Sequence, residues 1–180
     1  MVKANGKAPA RAYHSGTLYR HELWVFGGVY PRPDPQPDGC SNDIHVFNPM
    51  DESWYEPIVN GTKPTPRSGH SATLLQDKLV VFGGWDAPIC FNDLHVLDLG
   101  IVEWIQPKII GTPPSPRSWH ASCALAGSRV LIHGGYNGNN ALDDTFIFNL
   151  GELLENMNLC CFSMCTCLNL FGSAEHSAPL

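Results

Sequence analysis

The chain has 180 residues, 43% of them apolar, with 17 glycines, 15 prolines and a net charge of −6. That length holds one domain or a piece of one, and so much Gly and Pro points to many turns and few long helices. The acidic balance excludes a broad nucleic-acid-binding surface, and the opening MVKANGKAPA lacks the apolar run of a secretory signal.

From the N-terminus, the first landmarks are His14 and the doublet Gly27-Gly28, followed by Asn42-Asp43, the run IHVF and Trp54. The same series returns as His70, Gly83-Gly84, Asn92-Asp93, LHVL and Trp104. It begins a third time with His120, Gly134-Gly135, Asp143-Asp144 and TFIF, but Glu155 stands where Trp is expected. The connections Gly61–Arg67 (GTKPTPR) and Gly111–Arg117 (GTPPSPR) also match. So many landmarks in register define a repeat array.

In the second copy, strands are predicted near His70–Leu75, Leu79–Gly83, Leu94–Asp98 and Trp104–Lys108. Polar Gln76-Asp77-Lys78 makes a tight break between the first two, and Gly83-Gly84 is read as ending the second. The second and third strands are apolar at nearly every position, so both faces of the sheet should be covered. Four-stranded antiparallel sheets repeating at about 50 residues fit the blades of a propeller. Trp54 and Trp104 would fill the wedge between blades. The expected fold is all-β, with about three blades over residues 1–150 (repeats near 12–62, 68–112 and 118–150), the third lacking its outer strand. Eleven blade strands result.

The pattern PRSGHSA…LVVFGG…NDLHVLD…W resembles the kelch repeat over roughly Ala8 to Leu150. The resemblance implies a β-propeller whose usual work is binding other proteins. Relatives present targets to ubiquitin ligases or tether cytoskeletal and trafficking proteins. Three blades leave two apolar end faces, from which we expect either a truncated form of a longer kelch protein or self-association to complete the ring.

Residues 151–180 form a Cys-rich apolar tail, expected to be unstructured. Its Cys160, Cys161, Cys165 and Cys167 lack paired C-x2-C knuckles, so zinc is the weaker reading, as are S-acylation and a membrane anchor over 156–174. Cys40, Cys90 and Cys123 are scattered, which is no disulfide framework and fits a reducing, intracellular setting. No cofactor or metal is expected.

His14, His70 and His120 recur at one position, and His45 and His95 at another, which marks packing or hydrogen-bonding devices more than a reaction centre. Asp43, Asp93 and Asp144 recur likewise and should bond loop amides. Copper oxidases built on a kelch-type propeller keep an enzymatic alternative open, with Cys40, Tyr30 and His133 as its candidates. They form no local motif, and the sequence has no G-x-S-x-G, P-loop or H-E-x-x-H.

In a meander of this kind the connections entering the first strand and those joining the second to the third emerge on one side. The former offer Arg11, Arg67 and Arg117, then Tyr13, Gly69 and Trp119; the latter offer Tyr30, Trp85, Asp86, Tyr136 and Asn137. The arginines either brace loops or meet a partner, and their recurrence favours bracing. Aromatics that vary from copy to copy suit protein recognition. The first such loop is six residues longer than its counterparts and carries Pro31, Arg32, Pro33, Pro35 and Pro37. It is expected to be an extended polyproline-type arm that contacts a partner, is itself read by a proline-binding module, or is a tolerated insertion.

Overall fold

The computed structural model describes residues 8–150 in full and the backbone of 159–164. Blade one contains β1 (Ser15–Tyr19), β2 (Glu22–Phe26), a small side hairpin of β3 (Val29–Tyr30) and β4 (Gly39–Cys40), then β5 (Ile44–Asn48) and β6 (Ser53–Tyr55). Its main sheet runs β1-β2-β5-β6. Tyr19 pairs with Glu22, so Arg20 and His21 alone make the turn, both at positive φ as a type I′ hairpin requires.

Next in the chain is β7 (Asn60–Gly61), then blade two as β8 (Ser71–Leu75), β9 (Lys78–Asp86), β10 (Ile89–Asp98) and β11 (Glu103–Ile105). Blade three follows β12 (Lys108–Ile110) as β13 (Ala121–Leu125), β14 (Arg129–Tyr136), β15 (Ala141–Asn149) and β16 (Leu159–Met164). In both, the connecting segment adds a fifth strand outside the meander, with β7 parallel to β11 and β12 parallel to β16. Among the described residues there is no helix.

Three expectations need correction. The third blade has its outer strand: Leu159–Met164 pairs antiparallel with β15, from Phe146↔Met164 to Asn149↔Cys161. Unpaired backbone on β15 is satisfied by whatever extended segment follows, with or without a Trp. In blades two and three the Gly doublets do not end the second strand, whereas in blade one β2 stops at Phe26, just before Gly27. β9 continues through Gly83-Gly84 to Asp86, and β10 accommodates it with a register shift between Phe91 and Leu94. At Gly83, φ is +66 in the equivalent Gly27 and +64 here, and a Cβ would stand 2.6 Å from the Arg117 carbonyl of the next blade. Finally, the proline-rich loop is not an extended arm. Val29↔Cys40 and Tyr30↔Gly39 pair, and Gln36 N–H donates to Pro33 C=O (3.0 Å), so the segment closes as a hairpin. The metal, acylation and membrane readings of the tail fall on side chains or residues outside those described.

The blades stack through two apolar layers. Between blades one and two lie Trp24, Phe26, Ile44 and Val46 against Leu79, Val81, Leu97, Leu99 and Trp104. Leu75, Val80, Phe82, Leu94 and Val96 of blade two meet Val130, Ile132, Phe148 and Leu150 of blade three. Residues 79 and 81 therefore face one neighbour while 80 and 82 face the other, which is why these strands are apolar throughout.

Candidate functional site

The loop side of the blades is held by a repeating brace. Arg67 and Arg117 are fully buried. Each guanidinium grips a carboxylate of its own blade with two N–H groups, Arg67 on Asp93 and Arg117 on Asp144, and also donates to the carbonyl of Gly83 or Gly134 (3.0 Å). Each also stacks on an aromatic ring, Arg67 over Phe91 at 4.4 Å and Arg117 over Phe146 at 5.3 Å. Their main chains meanwhile tie to the preceding blade: Gly28 N–H donates to Arg67 C=O, and Gly84 N–H to Arg117 C=O, both at 2.9 Å.

These two arginines therefore cannot contact a partner, and bracing is their role. In place of the loop amides expected of them, Asp93 and Asp144 chiefly receive guanidinium groups, Asp144 also accepting from its own backbone amide. Burial alone would push the Asp93 carboxyl up, but the Arg67 bonds and charge, with His95, hold it well below the carboxylate range. The Arg117 bonds do the same for Asp144.

Blade one builds its brace differently. Arg11 donates to Gly27 C=O (2.9 Å) and to His45 Nδ1 (3.0 Å), while Asp43 stays exposed beside Ser41 and Lys63. Since Nδ1 accepts, His45 carries its proton on Nε2 and donates it to Glu56 (3.0 Å). Half-buried Arg11 is thus committed to the frame as well.

On this frame sits an aromatic cluster. Trp119 is the hub, with ring centroids 6.3 Å from Tyr13, 6.5 Å from Trp85 and 6.2 Å from Tyr136. Tyr13, Trp119 and Tyr136 are 63%, 49% and 38% exposed, unusual for large rings already in contact with one another. The fold fixes their main chain. Ser68 and Ser118 form antiparallel bridges with Trp85 and Tyr136, which brings the two kinds of loop together.

Tyr13, Gly69 and Trp119, at one repeat position, form a chain of bonds across the blades: Gly69 N–H to Tyr13 C=O (2.9 Å) and Trp119 N–H to Gly69 C=O (2.7 Å). All three lie in the left-handed region, φ 55°, 61° and 54°. Tyr and Trp are strained there, at about 1–2 kcal/mol each. The backbone is imposed and the side chain varies. A Cβ on Gly69 would stand 2.7 Å from Trp119 Nε1, so glycine makes room for the indole. Gly69→Ala should lower stability by about 1 kcal/mol in urea unfolding and shift the Trp119 indole resonance, because the indole must move.

The remaining predicted residues divide. Asp86 lines a cleft of about 300 Å³ with Tyr13, Trp85 and Trp119, joined by Asp38 from the folded-back hairpin. No local pattern in the sequence marks Asp38, because its position depends on hairpin closure. Tyr30 and Arg32 lie to one side, the guanidinium 5.5 Å over the ring and donating to its hydroxyl (3.3 Å), and line a separate cleft of about 490 Å³ with Arg11 and Asn42. Asn137 caps its own turn, Oδ1 accepting from the amides of Asn139 (2.9 Å) and Asn140 (2.8 Å).

The oxidase candidates do not converge. Cys40 donates to Trp85 C=O (3.5 Å), and burial pushes its thiol up; His133 lies on blade three, bonded to Thr145. Among the described residues, no three His, Cys, Asp or Glu side chains are grouped to hold a metal ion.

Comparison with known proteins agrees with this architecture. Residues 1–156 match the family model of the FBX42 beta-propeller domain. The chain is 38% identical over 128 residues to the bovine (Bos taurus) Rab9 effector protein with kelch motifs, covering 69% of this chain and 32% of that protein. It is 34% identical over 87 residues to bovine Kelch domain-containing protein 3, covering 46% of this chain and 22% of that one. With rat (Rattus norvegicus) host cell factor 1 it shares 32% identity over 84 residues, 43% of this chain and 4% of that protein. The chain thus spans a third or less of the length of these relatives. The repeated landmarks, the stacked blades and these matches agree that the chain belongs to the FBX42-type β-propeller family and is a kelch-repeat propeller segment.

Proposed function

We propose that the chain is a non-catalytic interaction module that holds a peptide segment of another protein at the loop side of its blades. The observation that carries this reading is the cluster of Tyr13, Trp85, Trp119 and Tyr136, which joins two kinds of loop and leaves large rings open to solvent. Rigid aromatic groups on a braced scaffold lose little entropy on binding and supply most of the energy at such surfaces. One relative is by name an effector of Rab9, which fits a role in binding proteins.

Trp85→Ala with Trp119→Ala tests the reading by partner capture from lysate. Each ring should contribute about 2 kcal/mol or more, so the double variant should lose at least about a hundredfold in affinity with far-UV circular dichroism unchanged. Retained capture would end the proposal.

Self-association is a second reading, favoured by one observation. Leu18 is 67% exposed and Trp54 half-buried, although their counterparts in blade two, Leu74 and Trp104, pack against blade one. A second copy covering that face would make sedimentation concentration-dependent, and a single monomeric species at all concentrations would exclude it.

A further inference from the structure

The cleft beside the aromatic cluster has one sign of charge. Its walls include the rings of Tyr13, Trp85 and Trp119, its two charged residues are Asp38 and Asp86, and no Lys, Arg or His lines it. The ion pairs among the described residues use Asp43, Asp77, Asp93, Asp98, Asp144 and Glu56, and none of them draws on Asp38 or Asp86. The chain as a whole is also acidic, at −6.

We propose that this cleft receives a cationic side chain, an arginine or lysine of the bound peptide. The proposal rests on the reading of the loop side as a peptide-binding surface and names the chemistry of its occupant. The face of an aromatic ring is the negative end of its quadrupole and attracts a cation placed over it, most strongly for Trp. Trp85 and Trp119 are inclined at 32° and Tyr13 and Trp119 at 75°, so the three rings offer faces and edges around one space and not a flat stack. A guanidinium or ammonium there lies between π faces and carboxylates, and its aliphatic stem covers apolar ring surface. An acidic side chain would meet repulsion from both. A metal ion fits poorly, since ring faces supply no lone-pair ligands for it. Electrostatic complementarity of this kind selects partners and speeds encounter.

The test uses the full chain with 15N-labelled indoles and four probes: Ac-Gly-Arg-Gly-NH2 and its Lys, Gln and Glu counterparts. Trp85→Phe and Trp119→Phe assign the two cleft resonances. The Arg and Lys peptides should move the Trp85 and Trp119 signals saturably, leave buried Trp24 and Trp104 unmoved, and bind more weakly as salt is raised. Gln and Glu peptides should move none of them. Asp38→Asn with Asp86→Asn, isosteric changes on the loop side, should weaken Arg-peptide binding about tenfold at an unchanged melting temperature.

Gln or Glu peptides binding as well as Arg would overturn the cationic assignment, as would an Asn pair that binds Arg like wild type, or Arg and Lys peptides that move neither signal. Each outcome is distinct from failure of the underlying reading, which is the retention of partner capture by the Trp85→Ala, Trp119→Ala variant.

Discussion

Replacing Trp104 by alanine should cost the fold about 3–5 kcal/mol, while the same change at Trp54 should cost less than half as much. The two residues stand at one repeat position, each on the outermost strand of its own four-stranded meander, paired with Leu97 and Phe47 respectively. Their surroundings differ. Trp104 is 3% exposed, its ring centroid 5.1 Å from Phe26 of the neighbouring blade and 6.3 Å from His95. Removing it opens a cavity in the layer shared with Trp24, Val46, Leu79 and Leu97, which belong to two sheets that cannot both collapse inward.

One term opposes this. The Trp104 Nε1–H is buried without a hydrogen-bond partner, so its loss is no penalty, but one unpaired donor is worth less than the whole indole contact. Trp54 is half-buried, with its ring against Phe47 at 5.1 Å, and water can fill the space it leaves. Urea unfolding of both variants, compared by midpoint at constant m, measures the contrast. Equal losses would show that blade one's far face is as well covered in solution as the layer between the blades.

The repeat that makes this comparison meaningful was legible in the sequence, because stacked blades impose the same needs at equal spacing. His, the Gly doublet, Asp and Trp recur since each blade must pack on the next. The aromatic cluster was legible for the opposite reason: Tyr13, Trp119, Trp85 and Tyr136 vary at positions whose backbone is repeated.

What the sequence concealed depends on long-range partners. Nothing local says that Arg67 turns inward to Asp93, 26 residues on, or that Arg11 finds His45 instead of Asp43. Leu159–Met164 contains no landmark, and it becomes a strand because β15 and β12 leave it a slot between them. Four prolines favour extended backbone locally, yet pairing across Val29 and Cys40 folds them back. That fold-back is what carries Asp38 to the cleft and completes its acidity.

Acid should destabilise the blades by about 4 kcal/mol between pH 7 and pH 5. The agents are His70 and His120, which stitch adjacent inner strands. His70 Nε2 lies 2.8 Å from Ser15 Oγ and His120 Nε2 2.8 Å from Ser71 Oγ, with the rings edge-on to Phe26 and Phe82. Burial first, and then the charge of Arg67, pushes the His70 ring down to about 3; burial and Arg117 bring His120 to about 4. Each Nδ1 is buried without a hydrogen-bond partner, so a second proton would have nowhere to go.

An unfolded histidine titrates near 6.5, so below that pH the unfolded chain binds protons that the folded one refuses. Stability is therefore complete above about pH 6.5 and falls as the pH drops toward the folded values. At pH 5 each ring is about 1.5 pH units below its unfolded pKa, worth about 2 kcal/mol. His45, lowered by burial and Arg11, acts with the same sign. Asp93 and Asp144 add to the loss only below about pH 4, where the unfolded carboxylates take up protons that the depressed folded ones still refuse.

Urea unfolding at pH 7, 6 and 5 should show a slope approaching two protons. His70→Gln with His120→Gln should be less stable at pH 7 but nearly flat across the same range. Stability that rises on acidification would mean that the two rings are charged in the fold, and that the inner seam is held by ions and not by neutral histidines against phenylalanine.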